Sequence, residues 1–373
     1  MIVPVVVAPL LAAVLSFLLG RLLIRHGARL GLEDLPNERS SHASPRPRGG
    51  GSGILLAFLV ALPLAIPAGT AQEWNALLPL AAAVMLALVG LADDLAGLGL
   101  VVRLGAQALA VAALLAALAA GTAAGESDLG ILSAISGLPV LSSWLTATAP
   151  PWLVITLDIL LVPLLLLGGI WWINLFNFMD GIDGLAASQT LFMLLAALAI
   201  KLSGSGADGG LASLAGAPAQ ACGLILAAAT AGFLLLNWPP ARLFMGDAGS
   251  LFLGFSILSL GAHDVTYGDM SLWSWLLLGG LFLVDATITL LRRWTTGQSV
   301  TAAHRSHLYQ RLSRRWGNHS SVTLVYLLVN LAWFFPLSFL AHLKPHWAPM
   351  ILVIGCLPVA IAAWRAGAGL KET

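Results

Sequence analysis

Carboxylate side chains are concentrated in three short polar segments of an otherwise apolar chain. The segments are Asp93-Asp94, Asn177-Phe-Met-Asp180-Gly-Ile-Asp183-Gly-Leu-Ala and Phe244-Met-Gly-Asp247-Ala-Gly-Ser. Neighbouring carboxylates repel each other, so such groups often serve as a general base or as ligands of a divalent cation. Unpaired carboxylates at a membrane boundary are costly. We therefore predict that the three segments lie on one face of the membrane and build one site.

The middle segment carries more polar groups than helix capping requires. Asn177, Asp180 and Asp183 recur at three-residue spacing, which in a helical turn would place them on one face. Gly181 and Gly184 let a ligand approach the backbone closely. An ordinary N-cap would explain one aspartate, but not two together with an amide. This segment is therefore predicted to bind a ligand.

The other two segments also favour chemistry over a purely structural role. Asp93 and Asp94 fall at the expected end of a helix, where the helix dipole disfavours negative charge. Asp247 comes just before an apolar helix and suits Mg²⁺, with Mn²⁺ as an alternative, because magnesium is commonly held by a few carboxylates together with phosphate oxygens. Phe244 could stack on a planar ring.

Basic side chains that could hold phosphate accompany the carboxylates. Arg103 follows the aspartate pair, and the segment from Thr301 to Arg311 contains His304, Arg305 and His307. The two histidines are three residues apart, as on one helical face. Zinc binding is disfavoured because no cysteine or third ligand is close in sequence, whereas arginine and imidazole together suit a phosphate.

Two further features invite a functional interpretation. Arg46 and Arg48 precede the run Gly49-Gly50-Gly51, which could open a helix and cradle an anion, although the Lys-Ser/Thr pair of a Walker A loop is absent. Asp158 and Asp285 lie inside apolar tracts, where an ionisable group suggests a functional site. We expect Asp285 near the same face as the motifs and assign no role to Asp158.

Membrane-spanning helices must position these residues. Of the 373 residues, 59% are hydrophobic and 9% are charged, whereas soluble domains carry about 25% charged residues. The mean hydropathy is +0.92. We predict an all-α polytopic membrane protein with one domain over residues 1–373, and an extramembrane loop over 122–150. Nucleic acid is not an expected partner, because no basic patch with interleaved aromatic residues is present.

A span needs about twenty apolar residues, which gives eleven candidates, or ten if the short segment 249–262 fails. The candidate spans are 2–23, 52–68, 75–92, 102–121, 152–173, 185–202, 218–236, 249–262, 271–291, 321–342 and 347–365.

The distribution of basic residues predicts the orientation of the chain. If the first span ends in the cytoplasm, all but two of the 18 Lys and Arg residues fall on the cytoplasmic side, the exceptions being Lys201 and Lys344. This is a strong positive-inside signal. Every polar motif then lies on the cytoplasmic face, where water-soluble substrates can reach it.

Carboxylates, Mg²⁺, arginines and histidines together indicate phosphoryl transfer. A site at the level of the lipid headgroups suggests that one substrate is a lipid phosphate. A transporter is the alternative from another class, but it would place ionisable groups at mid-membrane. A CDP-alcohol phosphotransferase is disfavoured because no Ala-Arg follows the Asp-Gly pairs of the motifs.

The ordered motifs resemble those of the polyprenyl-phosphate N-acetylhexosamine-1-phosphate transferases, which form glycosyltransferase family 4. The resemblance extends over essentially the whole chain, from the Pro-Arg-Gly-Gly segment at 47–50 to His304-Arg-Ser-His307. It implies that a polyprenyl phosphate attacks the β-phosphate of a UDP-N-acetylhexosamine and releases UMP. Direct attack is favoured, and a covalent aspartyl intermediate stays open.

The resemblance also implies roles for individual residues. It places Asp247 and Asp180 at the Mg²⁺ and makes Asp93 or Asp94 the general base. Asn177 and Asp180 would lie by the nucleotide diphosphate, which His304 and His307 would also contact. The uracil pocket would be formed by Gly181, Ile182 and Asp183, with Phe244 stacked on the uracil ring. Arg103, Arg305, Arg46 and Arg48 are our candidates for further phosphate or sugar contacts.

One departure narrows the family branch. The pentapeptide translocases, which are the alternative activity, have three consecutive histidines, whereas this chain has His304-Arg-Ser-His307. The pattern resembles the enzymes that begin O-antigen, lipopolysaccharide or other surface glycans on undecaprenyl phosphate. We therefore expect a multi-pass protein of the bacterial inner membrane. The sugar is left open among N-acetylglucosamine, N-acetylfucosamine, N-acetylquinovosamine and other N-acetylhexosamines, and a homodimer is an open alternative to a monomer.

Overall fold

The computed structural model describes residues 2–34, 45–65, 73–123, 150–203, 217–302 and 304–371. Most of the predicted loop over 122–150 lies outside this part of the chain. The first half contains α1 (Ile2–His26), a 3-10 turn (Gly27–Leu30), β1 (Glu33–Asp34), β2 (Arg46–Pro47), α2 (Gly50–Ala65), α3 (Glu73–Ala96), α4 (Leu100–Ala123) and α5 (Pro151–Met179). The second half contains α6 (Leu185–Ser203), α7 (Pro218–Asn237), α8 (Asp247–Thr266), α9 (Leu272–Leu278), α10 (Gly280–Thr295), α11 (Leu308–Trp316), α12 (His319–Val329), a π-helical turn (Asn330–Phe334), α13 (Phe335–Leu343), a 3-10 turn (Pro345–Trp347) and α14 (Ala348–Arg365).

The predicted all-α polytopic class is confirmed, but the count of eleven spans is not. Within the described residues, nine helical stretches are long and apolar enough to cross a membrane. A tenth is obtained if α9 and α10, which are bent by 76° relative to each other, form one broken span. Helix α2 has 16 residues and is about 24 Å long, which is short for a hydrocarbon core of about 30 Å.

Several helices are longer than predicted, and the extensions of α5 and α8 bear on the motifs. Helix α5 continues to Met179 rather than stopping at 173, so Asn177 lies in its last turn and not in a loop. Helix α8 begins at Asp247 rather than at 249, so this carboxylate stands in the first helical turn. Both side chains are therefore held by regular backbone, which positions them more rigidly than a loop would.

Helix α8 lies at the centre of the bundle and packs against α2, α3 and α5. Small residues allow the close approach: a Cβ atom on Gly90 would overlap the backbone of Asp247, and a Cβ atom on Gly51 would overlap the backbone of Gly249. Close packing of this kind, made possible by glycine, is a common basis of helix association in membranes. It brings the C-terminal end of α3 directly onto the N-terminus of α8.

The glycine-rich segment that opens α2 is a packing element. Gly50 and Gly51 donate their backbone N–H groups to the carbonyls of Phe244 and Met245, at 2.9 Å each, and Phe244 N–H donates to the Pro47 carbonyl at 2.8 Å. Because the N–H groups of Gly50 and Gly51 are already bonded to backbone carbonyls, they are not free to bind an anion, whereas the phosphate-binding role of Arg46 and Arg48 stays a prediction. The two glycines fix the segment that leads into Asp247.

The opposite end of the bundle has a different character. Lys201, near the end of α6, makes a bidentate ion pair with the buried Asp264 near the end of α8, at 2.9 and 2.8 Å. Helices α6 and α8 both begin at the end that carries the motifs, so this pair marks the far side. The predicted separation of Lys201 from the motifs agrees with this arrangement.

Candidate active site

Asp94 caps the N-terminus of α8 from a neighbouring helix. Its two carboxylate oxygens accept hydrogen bonds from the backbone N–H groups of Asp247 and Ala248, at 3.2 and 3.3 Å. The helix has no cap of its own, because Gly246 stands at the N-cap position. A carboxylate there satisfies free N–H groups and complements the helix dipole. The buried Asp94 therefore acts as the N-terminal cap of α8.

The second aspartate of the pair faces the side chain of Asp247. Asp93 accepts a hydrogen bond from Arg103 at 2.9 Å, and the same guanidinium nitrogen lies 3.7 Å from a carboxylate oxygen of Asp247. Asn177 donates to the other oxygen of Asp247 at 2.9 Å and to the Ser250 hydroxyl at 3.1 Å. The ends of α3, α4, α5 and α8 therefore converge on Asp247.

Asp180 adds a carboxylate that lacks a partner. It stands at the C-terminal end of α5, and among the described residues no hydrogen bond or ion pair reaches its side chain. Burial raises the pKa of Asp180 well above its ordinary value, and the charges of Asp247, Asp94 and Asp183 raise it further. These four carboxylates therefore repel one another across one small region, which a cation would stabilise.

Asp183 lies on a different side of the motif from Asn177, so the predicted common helical face is wrong: α5 ends before Asp180. Its carboxylate accepts from the Ala241 backbone at 2.9 Å and lies 3.3 Å from His319 Nδ1. Burial alone would raise the pKa of Asp183, but the contacts with His319 and Ala241 lower it below its usual value.

The residues of the predicted uracil pocket are only partly exposed. Asp183 contacts the loop between α7 and α8, which also carries the half-buried Phe244. Gly181 is partly exposed, whereas Ile182 is 6% exposed and belongs to the core. Phe244, Gly181 and Asp183 are thus partly exposed, whereas the side chain of Ile182 is buried.

The two histidines do not share a helical face, because the chain from 304 to 307 is not helical and α11 begins only at Leu308. Their rings nevertheless lie close together, with centroids 5.0 Å apart. His304 is half-buried and accessible, and burial lowers its pKa to about 3, helped by the charges of His307 and Arg293. His307 is buried and stacks on Phe178, next to the middle motif.

Asp285 holds this histidine segment in place. It is fully buried and accepts hydrogen bonds from the backbone N–H groups of Leu308 and Tyr309, at 2.7 and 3.1 Å, and from the Tyr326 hydroxyl at 2.8 Å. It also lies 3.5 Å from His307 Nδ1. A buried carboxylate survives only when its lone pairs are satisfied in this way. Asp285 therefore repeats at α11 the cap that Asp94 makes at α8.

The remaining predicted phosphate ligands are placed differently from one another. Arg48 is half-buried, lies 3.8 Å from the Asp94 carboxylate and also donates to the Asp94 backbone carbonyl. Arg46 stands in β2, close enough to Asp183 to lower the pKa of that carboxyl. The backbone carbonyl of Arg305 accepts a hydrogen bond from Arg314 at 2.6 Å. Of the predicted phosphate-binding arginines, Arg103 is the one that contacts both Asp93 and Asp247.

Several residues that shape the site had no clear sequence signal. His319 lies outside the predicted motifs, and Ser250 and Tyr309 lie within predicted segments but carry no predicted role. Each of the three contacts a motif residue. Gln107 and Asn174 form an amide pair between α4 and α5, at 2.7 Å, about one turn from Arg103 and Asn177. A polar amide in an apolar helix is the one signal that could have pointed to that pair.

The fold and the site together define a class of membrane enzyme. One end of the helical bundle carries several carboxylates whose negative charge is only partly neutralised. An arginine lies between two of these carboxylates, and an accessible imidazole lies at the same end. Such a constellation suits the transfer of a phosphoryl group at the membrane surface. A transporter site at mid-membrane is not what the described residues form.

The family model for glycosyl transferase family 4 matches residues 76–262, a stretch that contains all three carboxylate segments. This chain therefore belongs to glycosyl transferase family 4. The predicted family resemblance is confirmed.

Individual relatives agree with this assignment. The chain is 27% identical to a probable undecaprenyl-phosphate N-acetylglucosaminyl 1-phosphate transferase of Bacillus subtilis, over 87% of this chain and 82% of that protein. It is 30% identical to a decaprenyl-phosphate N-acetylglucosaminephosphotransferase of Mycolicibacterium smegmatis, over 81% and 74%. It is 38% identical to a phospho-N-acetylmuramoyl-pentapeptide-transferase of a Synechococcus strain, but over only 40% and 38%.

Proposed function

We propose that this protein transfers an N-acetylhexosamine 1-phosphate from a UDP-sugar to a polyprenyl phosphate, giving polyprenyl-diphospho-sugar and UMP. The observation that carries the proposal is the convergence of Asn177, Arg103 and Asp93 on the side chain of Asp247. The two relatives matched over most of their length are named as transferases of this kind.

A divalent cation, Mg²⁺ or alternatively Mn²⁺, fits the residues present. Asp180 and Asp247 would hold it, because no described residue pairs with the Asp180 carboxylate and the side chain of Asp247 is 31% exposed. When bound, the ion would supply charge neutralisation for the diphosphate. The repulsion among the aspartates is the feature of this chain that supports such an ion.

The reacting lipid phosphate is assigned to the Asp93 side of the site. Asp94 uses both oxygens to cap α8, which leaves Asp93 as the aspartate of the pair whose carboxylate faces Asp247. Arg103, between Asp93 and Asp247, would orient the phosphate as it approaches. An oxygen of the lipid phosphate then bonds to the β-phosphorus while the bond from that phosphorus to the bridging oxygen breaks, and UMP leaves.

The donor nucleotide is assigned to the opposite side. Gly181, Asp183 and Phe244, which are all partly exposed, would hold the uracil, and Ile182 would contribute backbone. Asn177 and Asp180 would face the diphosphate. His304 would contact the diphosphate with a neutral imidazole, since its pKa is about 3 before an anion binds. His307 would act behind it, held by Asp285.

The site is proposed to face the cytoplasm of a bacterial inner membrane, and the product to begin a surface glycan such as O-antigen. The asymmetric distribution of Lys and Arg supports this orientation.

Purified protein in detergent with polyprenyl phosphate tests the proposal against a panel of UDP-N-acetylhexosamines. We expect UMP release with at least one donor, loss of release on removal of divalent cations and recovery with Mg²⁺. Asp247→Ala should abolish turnover while the protein stays folded. Absence of UMP with every donor, including UDP-N-acetylmuramoyl-pentapeptide, would refute the proposed reaction, and release with the pentapeptide donor alone would favour the translocase activity instead.

A further inference from the structure

Tyr309 connects the histidine segment to the middle carboxylate motif. The side chain is fully buried, and its hydroxyl donates a hydrogen bond of 2.8 Å to the backbone carbonyl of Phe178. Phe178 lies in the last turn of α5, between Asn177 and Asp180. The two segments are 131 residues apart in sequence, so this bond is a tertiary contact between them.

The acceptor of this bond is one of the carbonyls that a helix leaves unpaired. The last four C=O groups of an α-helix have no partner within the helix, and a buried C=O without a partner is costly. Tyr309 satisfies the Phe178 carbonyl at the point where the chain leaves helical geometry for Asp180 and Gly181. Burial raises the pKa of Tyr309 well above its ordinary value, with added effects of the Asp285 and Asp180 charges, so the hydroxyl keeps the proton it donates.

The position of Tyr309 is itself fixed. Asp285 accepts the backbone N–H group of Tyr309 at 3.1 Å, and the ring stacks on His307 with centroids 5.7 Å apart. His307 stacks in turn on Phe178. The phenol is therefore held at its backbone and on its ring face before its hydroxyl reaches α5.

The fit at Gly181 shows how closely the hydroxyl sets the backbone of the motif. A Cβ atom at Gly181 would overlap the Tyr309 hydroxyl oxygen, and its next nearest atom would be the Tyr309 Cζ at 3.0 Å. Only a residue without a side chain lets the motif backbone lie against this phenol.

We infer that Tyr309 is a positioning residue for the donor site, whose hydroxyl fixes the backbone from Phe178 to Gly181 and so sets the orientation of Asp180 toward the nucleotide diphosphate. This inference rests on the proposed function and deepens it. Tyr309 touches no reacting atom; it acts through the backbone that carries Asn177 and Asp180.

Tyr309→Phe removes the hydroxyl and keeps the ring. Loss of one buried hydrogen bond changes an equilibrium constant by about 2-fold to 12-fold. We therefore expect the KM for the UDP-sugar to rise by about this factor. The KM for polyprenyl phosphate should stay within about twofold, because the acceptor side is built by α3, α4 and α8. A purely structural defect would instead lower the amount of active protein without changing either KM.

The other two tyrosines of the chain are matched controls. Tyr267, at the far end of α8, is 48% exposed, and Tyr267→Phe should leave both KM values unchanged. Tyr326→Phe removes a hydroxyl that donates to Asp285 but leaves the Tyr309 contact with Phe178 in place, so its effect on the donor KM should be the smaller one. Equal effects of Tyr326→Phe and Tyr309→Phe would overturn the specific role of Tyr309.

A double-mutant cycle tests the contact without any turnover. Gly181→Ala should lower the Tm strongly in the wild-type background, and less in the Tyr309→Phe background, where the overlapping oxygen is gone. Additive losses would overturn the inference, because they would show that the two positions do not contact each other. Since the cycle is read by thermal unfolding, it decides on Tyr309 even if wild-type protein releases no UMP, the result that would refute the proposed reaction alone.

Discussion

Replacing Asp94 separates a capping role from a role as the base. In the structure both of its carboxylate oxygens accept backbone N–H groups of α8, at 3.2 and 3.3 Å. Asp94→Asn keeps one accepting oxygen, whereas Asp94→Ala removes both. If the carboxylate is a cap, the two variants should therefore differ in proportion to the hydrogen bonds they keep.

The expected magnitudes follow from these two bonds. Loss of an N-cap side chain costs about 0.5–2 kcal/mol, and loss of a negative charge at a helix N-terminus costs about 0.3–1 kcal/mol. Asp94→Ala should thus destabilise the protein by about 1–3 kcal/mol, with Asp94→Asn near the lower end because it loses the charge and one bond. Arg48, which lies 3.8 Å from this carboxylate, loses its partner in both variants.

Thermal unfolding in detergent measures the stability, and UMP release from the same preparations measures turnover. We expect the order of stability to be wild type, Asp94→Asn and Asp94→Ala, with measurable turnover retained in the asparagine variant. Asp93→Asn, by contrast, should lose turnover with little change in stability. If Asp94→Asn were as stable as wild type and wholly inactive, Asp94 would be the base and the assignment of Asp93 would be wrong.

Three further predictions concern the groups around this centre. Gly246→Ala should destabilise the protein and lower turnover, because Gly246 has a φ of +75° and a Cβ atom there would lie 2.5 Å from the Asp94 carboxylate; normal stability by thermal unfolding would contradict this. Gln107→Leu removes the hydrogen bond between the side-chain amides of α4 and α5 and should lower kcat/KM by about 2-fold to 12-fold, measured by UMP release. An unchanged kcat/KM would exclude a positioning role for Gln107. His319→Ala removes a contact that lowers the pKa of Asp183. That carboxyl should then protonate at higher pH, so the acidic limb of the donor-binding profile should move upward in pH, and an unmoved limb would count against the pairing.

The sequence predicted the helical class and most helix positions because apolar length is a local property. A helix in lipid satisfies its own backbone hydrogen bonds, so each span can be read from its own twenty or so residues. The boundaries were less certain, since the ends of α5 and α8 depend on contacts with other helices. Asn177 and Asp247, at these two helix ends, contact each other, and Asp94 caps the helix that begins at Asp247.

The sequence by itself also determined which residues are available for chemistry, because unpaired carboxylates in an apolar chain need a reason to be there. It could not distinguish Asp93 from Asp94, which are chemically identical neighbours. The tertiary structure separates them: one carboxylate points to the N-terminus of α8 and the other to Arg103 and Asp247. It likewise decided the roles of Asp285 and Tyr309, because the direction of a side chain and the donors it meets depend on helices far away in the chain.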